Sequence, residues 1–403
     1  MKPLCSPLLL CCGLALAAPS VRAEDAFALR DGDRVVLVGN TLIEREQRYG
    51  YWETALTRRY PDKSITFRNL GWSGDTVFGD ARAGFGTQAD GFRQLKEHVL
   101  ALKPTVLIIG YGANESFEGP KGLPRFVKGL ETLLDVFAPT KARVVLLSPL
   151  KQENLGPPLP DPKENNKNLR LYADAIRDVA KKRGHFFVDL YELLCEEKQL
   201  LTDNGIHLTA SGYWHSAAIL EEALGLPNAD WLVEMNAKGK VEKAEGARVD
   251  KIATGPLRFE VASDLLPFPP PPQEEIVFTN RVFLSLLRVK TLPAGEYILR
   301  IDGTRKATMS EQEWAEGLRI SSELGKMQVE RLRQAIVAKN RLYFYRWRPE
   351  NETYLFGFRK HEQGQNAHEI PKFDPLIAEK EKEIAKLRVP VTHTYELKME
   401  KKP

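Results

Sequence analysis

Cysteine is scarce. The 403 residues contain four, and three of them, Cys5, Cys11 and Cys12, fall in the first 23 positions. A chain of this size cannot be held together by so few bridges. One sign of charge does not dominate either. Lys and Arg number 58 against 54 Asp and Glu, a formal charge of +4, which excludes the strong basic footprint of a nucleic-acid binder. Beyond the N-terminus no apolar run reaches the ~20 residues that a membrane span needs. Internal repeats are absent. What remains is ordinary globular composition, 43% hydrophobic and 28% charged, long enough for two to four domains at ~100–200 residues each.

The first 23 residues read as a secretory signal. Lys2 gives a basic start, Leu4 to Leu16 an apolar run, and Val21-Arg22-Ala23 a cleavage site of small-x-small form. Its removal leaves Cys195 as the only cysteine and excludes an intrachain disulfide. The mature chain is expected to be exported, periplasmic or extracellular, with no transmembrane segment.

Between Arg34 and Leu224, short apolar runs alternate with helical patterns. Val35–Val38 ends at Gly39, Thr105–Ile109 at Gly110, Arg143–Leu147 at Ser148-Pro149, and Phe186–Asp189 is a fourth. Such runs fit strands buried on both faces. Helices are expected over Tyr51–Tyr60, Gly91–Leu102, Leu123–Phe137, Asn165–Arg183 and Ala210–Leu224. The alternation predicts a three-layer, doubly wound parallel α/β domain over residues 24–228, with its site at the C-terminal ends of the strands. Residues 229–403 read as an α+β accessory region, a small sandwich with helical additions. There Lys238–Asp250 reads as a polar loop and Pro267–Pro272, five prolines in six residues, as an extended connector. Val282–Val289 and Tyr297–Ile301 read as strands; Glu311–Leu318, Glu323–Asn340 and Leu376–Leu387 read as helices.

Four segments at strand ends carry chemistry: Gly39-Asn40-Thr41-Leu42, Asn69–Thr76 with Ser73-Gly74-Asp75-Thr76, Gly110–Glu115 with Asn114-Glu115, and Thr202–Leu208 with His207. They supply a hydroxyl, backbone N–H groups beside glycines, a side-chain amide and an imidazole. Acyl transfer uses that set: the hydroxyl attacks, the imidazole takes its proton, and the N–H donors hold the oxyanion.

In order and spacing these segments resemble the SGNH, or GDSL-like, hydrolase superfamily, over roughly residues 33–224. The resemblance implies a flavodoxin-like sheet, ester hydrolysis without metal or organic cofactor, and a small-molecule, polysaccharide or lipid ester as substrate. It implies Thr41 as nucleophile and His207 as base. The oxyanion hole would be Thr41, Gly74 and Asn114. Asn40, Asp75 and Glu115 would be hydrogen-bonding supports of the loops.

Two departures stand out. Thr41 occupies the family's serine position, adding a methyl group. Asn204 occupies the position of the aspartate that orients the histidine. An amide favours the wrong imidazole tautomer, a change that costs about 10⁴ in rate in serine proteases. Asp203, one residue earlier, is a candidate substitute. A working Thr41–His207 hydrolase, a degenerate SGNH domain that binds glycan or lipid, and chemistry by another group all stay open.

Outside this set, His361, Glu362, His368 and Glu369 lack a zinc-ligand spacing. The basic and aromatic residues of Lys339–Arg348 read as a partly buried helix face with cations reaching back to water. The whole C-terminal region, Asn351–Ala367 included, resembles accessory regions that follow SGNH domains in exported planctomycete-like proteins.

Overall fold

The computed structural model describes residues 26–194, 200–226, 231–272, 285–320, 323–362 and 364–400. The proposed signal segment, Cys195 and the start of the strand expected at Val282 lie outside the described residues.

The first region runs β1 (Arg34–Gly39), α1 (Thr41–Tyr49), α2 (Tyr51–Thr57), β2 (Thr66–Gly71), α3 (Gln88–Ala101), β3 (Val106–Gly110) and α4 (Gly119–Phe137). It continues with β4 (Arg143–Leu147), α5 (Lys163–Arg183), β5 (Phe186–Val188) and α6 (Ala210–Ala223). The strands form one parallel sheet in the order β2-β1-β3-β4-β5. Alternation along β1 builds the three layers. Val35 and Leu37 join a core with Ile43, Trp52 and Tyr213 on one face. Val36 and Val38 join Leu95, Phe126 and Ile176 on the other. The strand order reverses between β1 and β3, and such a crevice is where doubly wound sheets place ligands.

Three glycines stand abreast at that edge. Gly39 pairs with Gly71 on one side and Gly110 on the other. A Cβ on Gly71 would lie 2.2 Å from Glu44 N, and one on Gly39 would lie 2.3 Å from Gly110 O. Only bare backbone lets α1 start so close to the sheet.

The second region forms β6 (Leu232–Asn236), β7 (Val241–Glu245), β8 (Ala247–Thr254), β9 (Leu257–Ser263), β10 (Ser285–Lys290), β11 (Glu296–Ile301), β12 (Thr304–Ser310), α7 (Glu311–Glu316) and β13 (Leu318–Ile320). Then come α8 (Glu323–Trp347), α9 (Glu352–Leu355), α10 (Phe373–Leu387) and β14 (His393–Met399). A mixed sheet, β13-β10-β6-β7, and an antiparallel sheet, β12-β11-β14-β9-β8, share one core that includes Val233, Val289, Phe259 and Leu299. Most of the polar loop expected at Lys238–Asp250 is instead β7 and the first half of β8. Both are largely exposed, so neither carries the apolar alternation that marks a half-buried strand.

Helices α8 and α10 pack against the first region. Tyr343 and Ile377 join the core of its second face. Lys339 does not reach back to water: it is 1% exposed, and its Nζ donates to Glu53 Oε1 at 2.6 Å and Phe67 O at 3.1 Å. Arg68 of edge strand β2 pairs with Glu381 at 2.6 Å. The proline segment is laid down as a strap, with Phe268 buried beside Trp214 and Pro269 O accepting from Trp214 Nε1 at 2.8 Å. Among the described residues, no helix is long and apolar enough to cross a membrane.

Candidate active site

Asn40 follows β1 and caps α1: its Oδ1 accepts Leu42 N–H at 3.1 Å. Capping therefore falls to Asn40, and the Thr41 hydroxyl is left for other work. Thr41 is the first helical residue. Its backbone N–H is one of the helix's unpaired donors, at the positive end of the helix dipole. Thr41 Oγ1 accepts the Gly74 N–H at 3.3 Å. Gly74 has φ +79°, a left-handed conformation that favours glycine.

Asn114 follows β3. Its Nδ2 donates to Asp75 O at 2.8 Å. An amide nitrogen carries two hydrogens, so one remains for an oxyanion. Asp75 and Glu115 tie the loops. Asp75 Oδ2 accepts from Arg82 Nε at 2.7 Å and from the Tyr111 hydroxyl at 2.9 Å. Glu115 accepts Val77 N–H and Gly112 N–H, each at 2.9 Å, linking the loops after β2 and β3. Burial pushes the Glu115 carboxyl up to about 7.

His207 precedes α6, whose N-cap is Thr209. Glu153 holds its loop by accepting Leu201 N–H at 2.8 Å and Thr202 N–H at 2.9 Å. Asn204 Oδ1 accepts two backbone donors, Ile206 N–H at 3.2 Å and His207 N–H at 2.9 Å. Its Nδ2 is thereby turned to His207 Nδ1, 3.1 Å away. An NH₂ group only donates, so Nδ1 must present a lone pair and the ring proton sits on Nε2. Burial first, and then the positive charge of Arg45, lowers the His207 pKa below the ordinary imidazole value, with Asp203 opposing. The ring is neutral at pH 7.

Asp203 does not orient the ring. Its Oδ2 pairs with Arg45 Nη2 at 2.5 Å. Thr41, Asn114 and His207 line one cleft, together with Asn40, Arg45 and Ile206. Among the described residues, no hydrogen bond joins Thr41 to His207. Ser148, on the cleft wall, is spent on structure, with its Oγ accepting Tyr191 N–H at 2.9 Å.

Two supports were not foreseen from the sequence. Glu153 carries no local motif, and its partners lie about 48 residues downstream. Glu44 holds Ser73 from within α1, a helix of nine residues in which a buried glutamate carries no local motif. The His/Glu group near residue 365 does not converge: Glu362 pairs with Arg359, and Glu369 with Lys372.

A model of the GDSL-like lipase/acylhydrolase family matches residues 34–215. The chain is similar to BT4096, described as a gut microbial diltiazem-metabolizing enzyme, at 17% identity and TM-score 0.71, over 93% of this chain and 99% of that one. It is also similar to a catalytic mutant of Axe2, an acetylxylan esterase from Geobacillus stearothermophilus. That match has 20% identity and TM-score 0.41, over 50% of this chain and 98% of the other. No curated protein matches the chain in sequence. Residues 34–215 are thus a GDSL-like lipase/acylhydrolase domain.

Proposed function

We propose that this is an exported hydrolase of carboxylic esters, acyl or acetyl groups carried on lipid or carbohydrate, with Thr41 as nucleophile and His207 as base. After the His207 ring proton has moved from Nε2 to Nδ1, Thr41 Oγ1 attacks the acyl carbon as its own proton passes to Nε2. The carbonyl electron pair moves to oxygen, which the Thr41 and Gly74 N–H groups and Asn114 Nδ2 hold. Collapse expels the alcohol, which takes the proton back from His207. Water then cleaves acyl-Thr41 by the same steps. On this reading residues 1–23 direct export.

The observation that carries it is the meeting of Thr41, Asn114 and His207 in one cleft, with the Gly74 N–H on the Thr41 hydroxyl. The test is hydrolysis of short p-nitrophenyl esters by the wild type, Thr41→Ala and His207→Ala. Both substitutions should abolish turnover, and turnover that survives Thr41→Ala refutes Thr41 as nucleophile.

A second reading has its own support. The Asn204 amide donates to His207 Nδ1, which protonates the nitrogen that a base must keep free. A domain fixed in that state binds acylated glycan or lipid without cleaving it. An inert wild type that retains an acylated ligand in equilibrium dialysis would select this reading.

A further inference from the structure

Glu44 lies on α1, three residues after Thr41, and its side chain is 10% exposed. Its Oε2 accepts the Ser73 N–H and its Oε1 the Ser73 hydroxyl, both at 2.8 Å. A third donor comes from 304 residues away: Arg348 Nη1 reaches Oε2 at 2.7 Å. Arg348 directly follows α8. Its guanidinium carbon lies 3.7 Å from the centroid of the Trp72 ring. Trp347 meets the same ring edge-on, at 5.8 Å between centroids. The end of α8 therefore grips Trp72 directly and Ser73 through Glu44.

The next residue is Gly74. A Cβ built there meets nothing within 4 Å, so neighbouring atoms do not brace it. An unbraced glycine turns easily. The direction of its N–H, now on Thr41 Oγ1, is therefore set by its two neighbours: Asp75, whose N–H donates to Trp72 O at 3.0 Å, and Ser73. Glu44 fixes the Ser73 side by holding both the amide and the hydroxyl of that residue. Arg348 balances the charge of that nearly buried carboxylate, which would otherwise be costly to keep.

We propose that Arg348 is a positioning residue for ester hydrolysis, acting through Glu44 and Ser73 to aim the Gly74 N–H at the oxyanion. This rests on the reading of Gly74 as an oxyanion donor. It gives the C-terminal region a part in the chemistry that does not require it to touch substrate. The planar guanidinium both stacks on Trp72 and donates to Glu44, a combination that lysine reproduces only in part.

The experiment uses the full chain and reads two quantities: p-nitrophenyl acetate kinetics, and hydrogen–deuterium exchange over residues 72–76. Arg348→Met should raise exchange there and lower kcat on the order of 10- to 100-fold, a share of the ~10²–10³ lost with a whole oxyanion donor. KM should change by less than about twofold, since the interaction acts in the transition state. Arg348→Lys should recover part of the loss. Arg346→Met, which breaks a pair with Asp374 near the same helix end, should match the wild type in both readouts. If Arg348→Met does not fold, Glu44→Gln must give the same signature. Unchanged exchange in a folded Arg348→Met protein overturns the anchoring. Raised exchange with unchanged kcat overturns the role in catalysis. An inert wild type refutes the ester-hydrolase reading itself and with it the catalytic role, while exchange still decides the anchoring.

Discussion

Replacing Asn204 by Asp changes one NH₂ to O⁻ at nearly constant shape. In the wild type, two backbone N–H groups fix Asn204 Oδ1 and leave Nδ2 facing His207 Nδ1 at 3.1 Å. That contact stabilises the tautomer with its proton on Nε2. A base for Thr41 needs the opposite tautomer, so the wild type must move the proton or rotate the amide before each attack. In the variant, one carboxylate oxygen keeps the backbone donors and the other accepts Nδ1–H. It also stabilises the imidazolium that forms as Thr41 attacks. The reverse change in a serine protease costs about 10⁴ in rate, or ~5.4 kcal/mol. Allowing for the hindered nucleophile and the extra charge beside Asp203, we expect kcat to rise by about 10²–10⁴ in Asn204→Asp. Asp203 tolerates the new neighbour because Arg45 already balances it. The acid limb of the rate profile should move upward, since burial and Arg45 now hold the His207 pKa down and a carboxylate opposes them. The assay is p-nitrophenyl acetate hydrolysis against pH, with ¹⁵N NMR of the imidazole to read the tautomer. An unchanged rate, or a wild-type ring already protonated on Nδ1, refutes the argument.

Thr41→Ser removes the methyl that crowds the attacking oxygen. Relief of about 1 kcal/mol of rotamer strain predicts a gain of about fivefold in kcat, read by the same esterase assay. Lys339→Met leaves the Glu53 carboxylate buried without its cation and should lower unfolding free energy by about 3–5 kcal/mol in urea titration. Glu115 predicts a pH slope. Its carboxyl stands at about 7 against an ordinary 4.5, so the folded chain holds that proton more tightly than the unfolded one. The stabilisation is full below 4.5 and is lost as pH rises through about 7, a loss of up to ~3 kcal/mol. Urea titrations at about pH 5 and 8 should show a steeper decline in the wild type than in Glu115→Gln, where buried Glu46 still contributes; equal slopes would contradict it.

Much of the parallel sheet was readable because β1, β3 and β4 are apolar runs with turn signals behind them. Strand β2 escaped because Arg68 and Asn69 interrupt it. Both are satisfied by distant partners, Arg68 by Glu381 and Asn69 Nδ2 by Ile43 O at 2.6 Å. Helix α1 escaped for a related reason: it is nine residues long, and its buried residues are Ile43 with the carboxylates Glu44 and Glu46. The four motif segments were legible as a set because each follows a strand or precedes a helix. The direction of the Asn204 amide was not, since it depends on which backbone donors the loop turns toward it. The link from Arg348 to Glu44 has no sequence signature, because only the folded topology brings the two together.

The Lys339–Glu53 pair has a consequence for the order of synthesis. The partners are 286 residues apart. At ~5–20 residues per second, a ribosome adds Lys339 about 15–60 s after Glu53. During that interval the nascent parallel sheet has an uncovered edge at β2, and Glu53 has no cation to meet. Exposed strand edges recruit other strands. The vulnerable period of this chain is therefore set by translation, and it closes when α8 arrives.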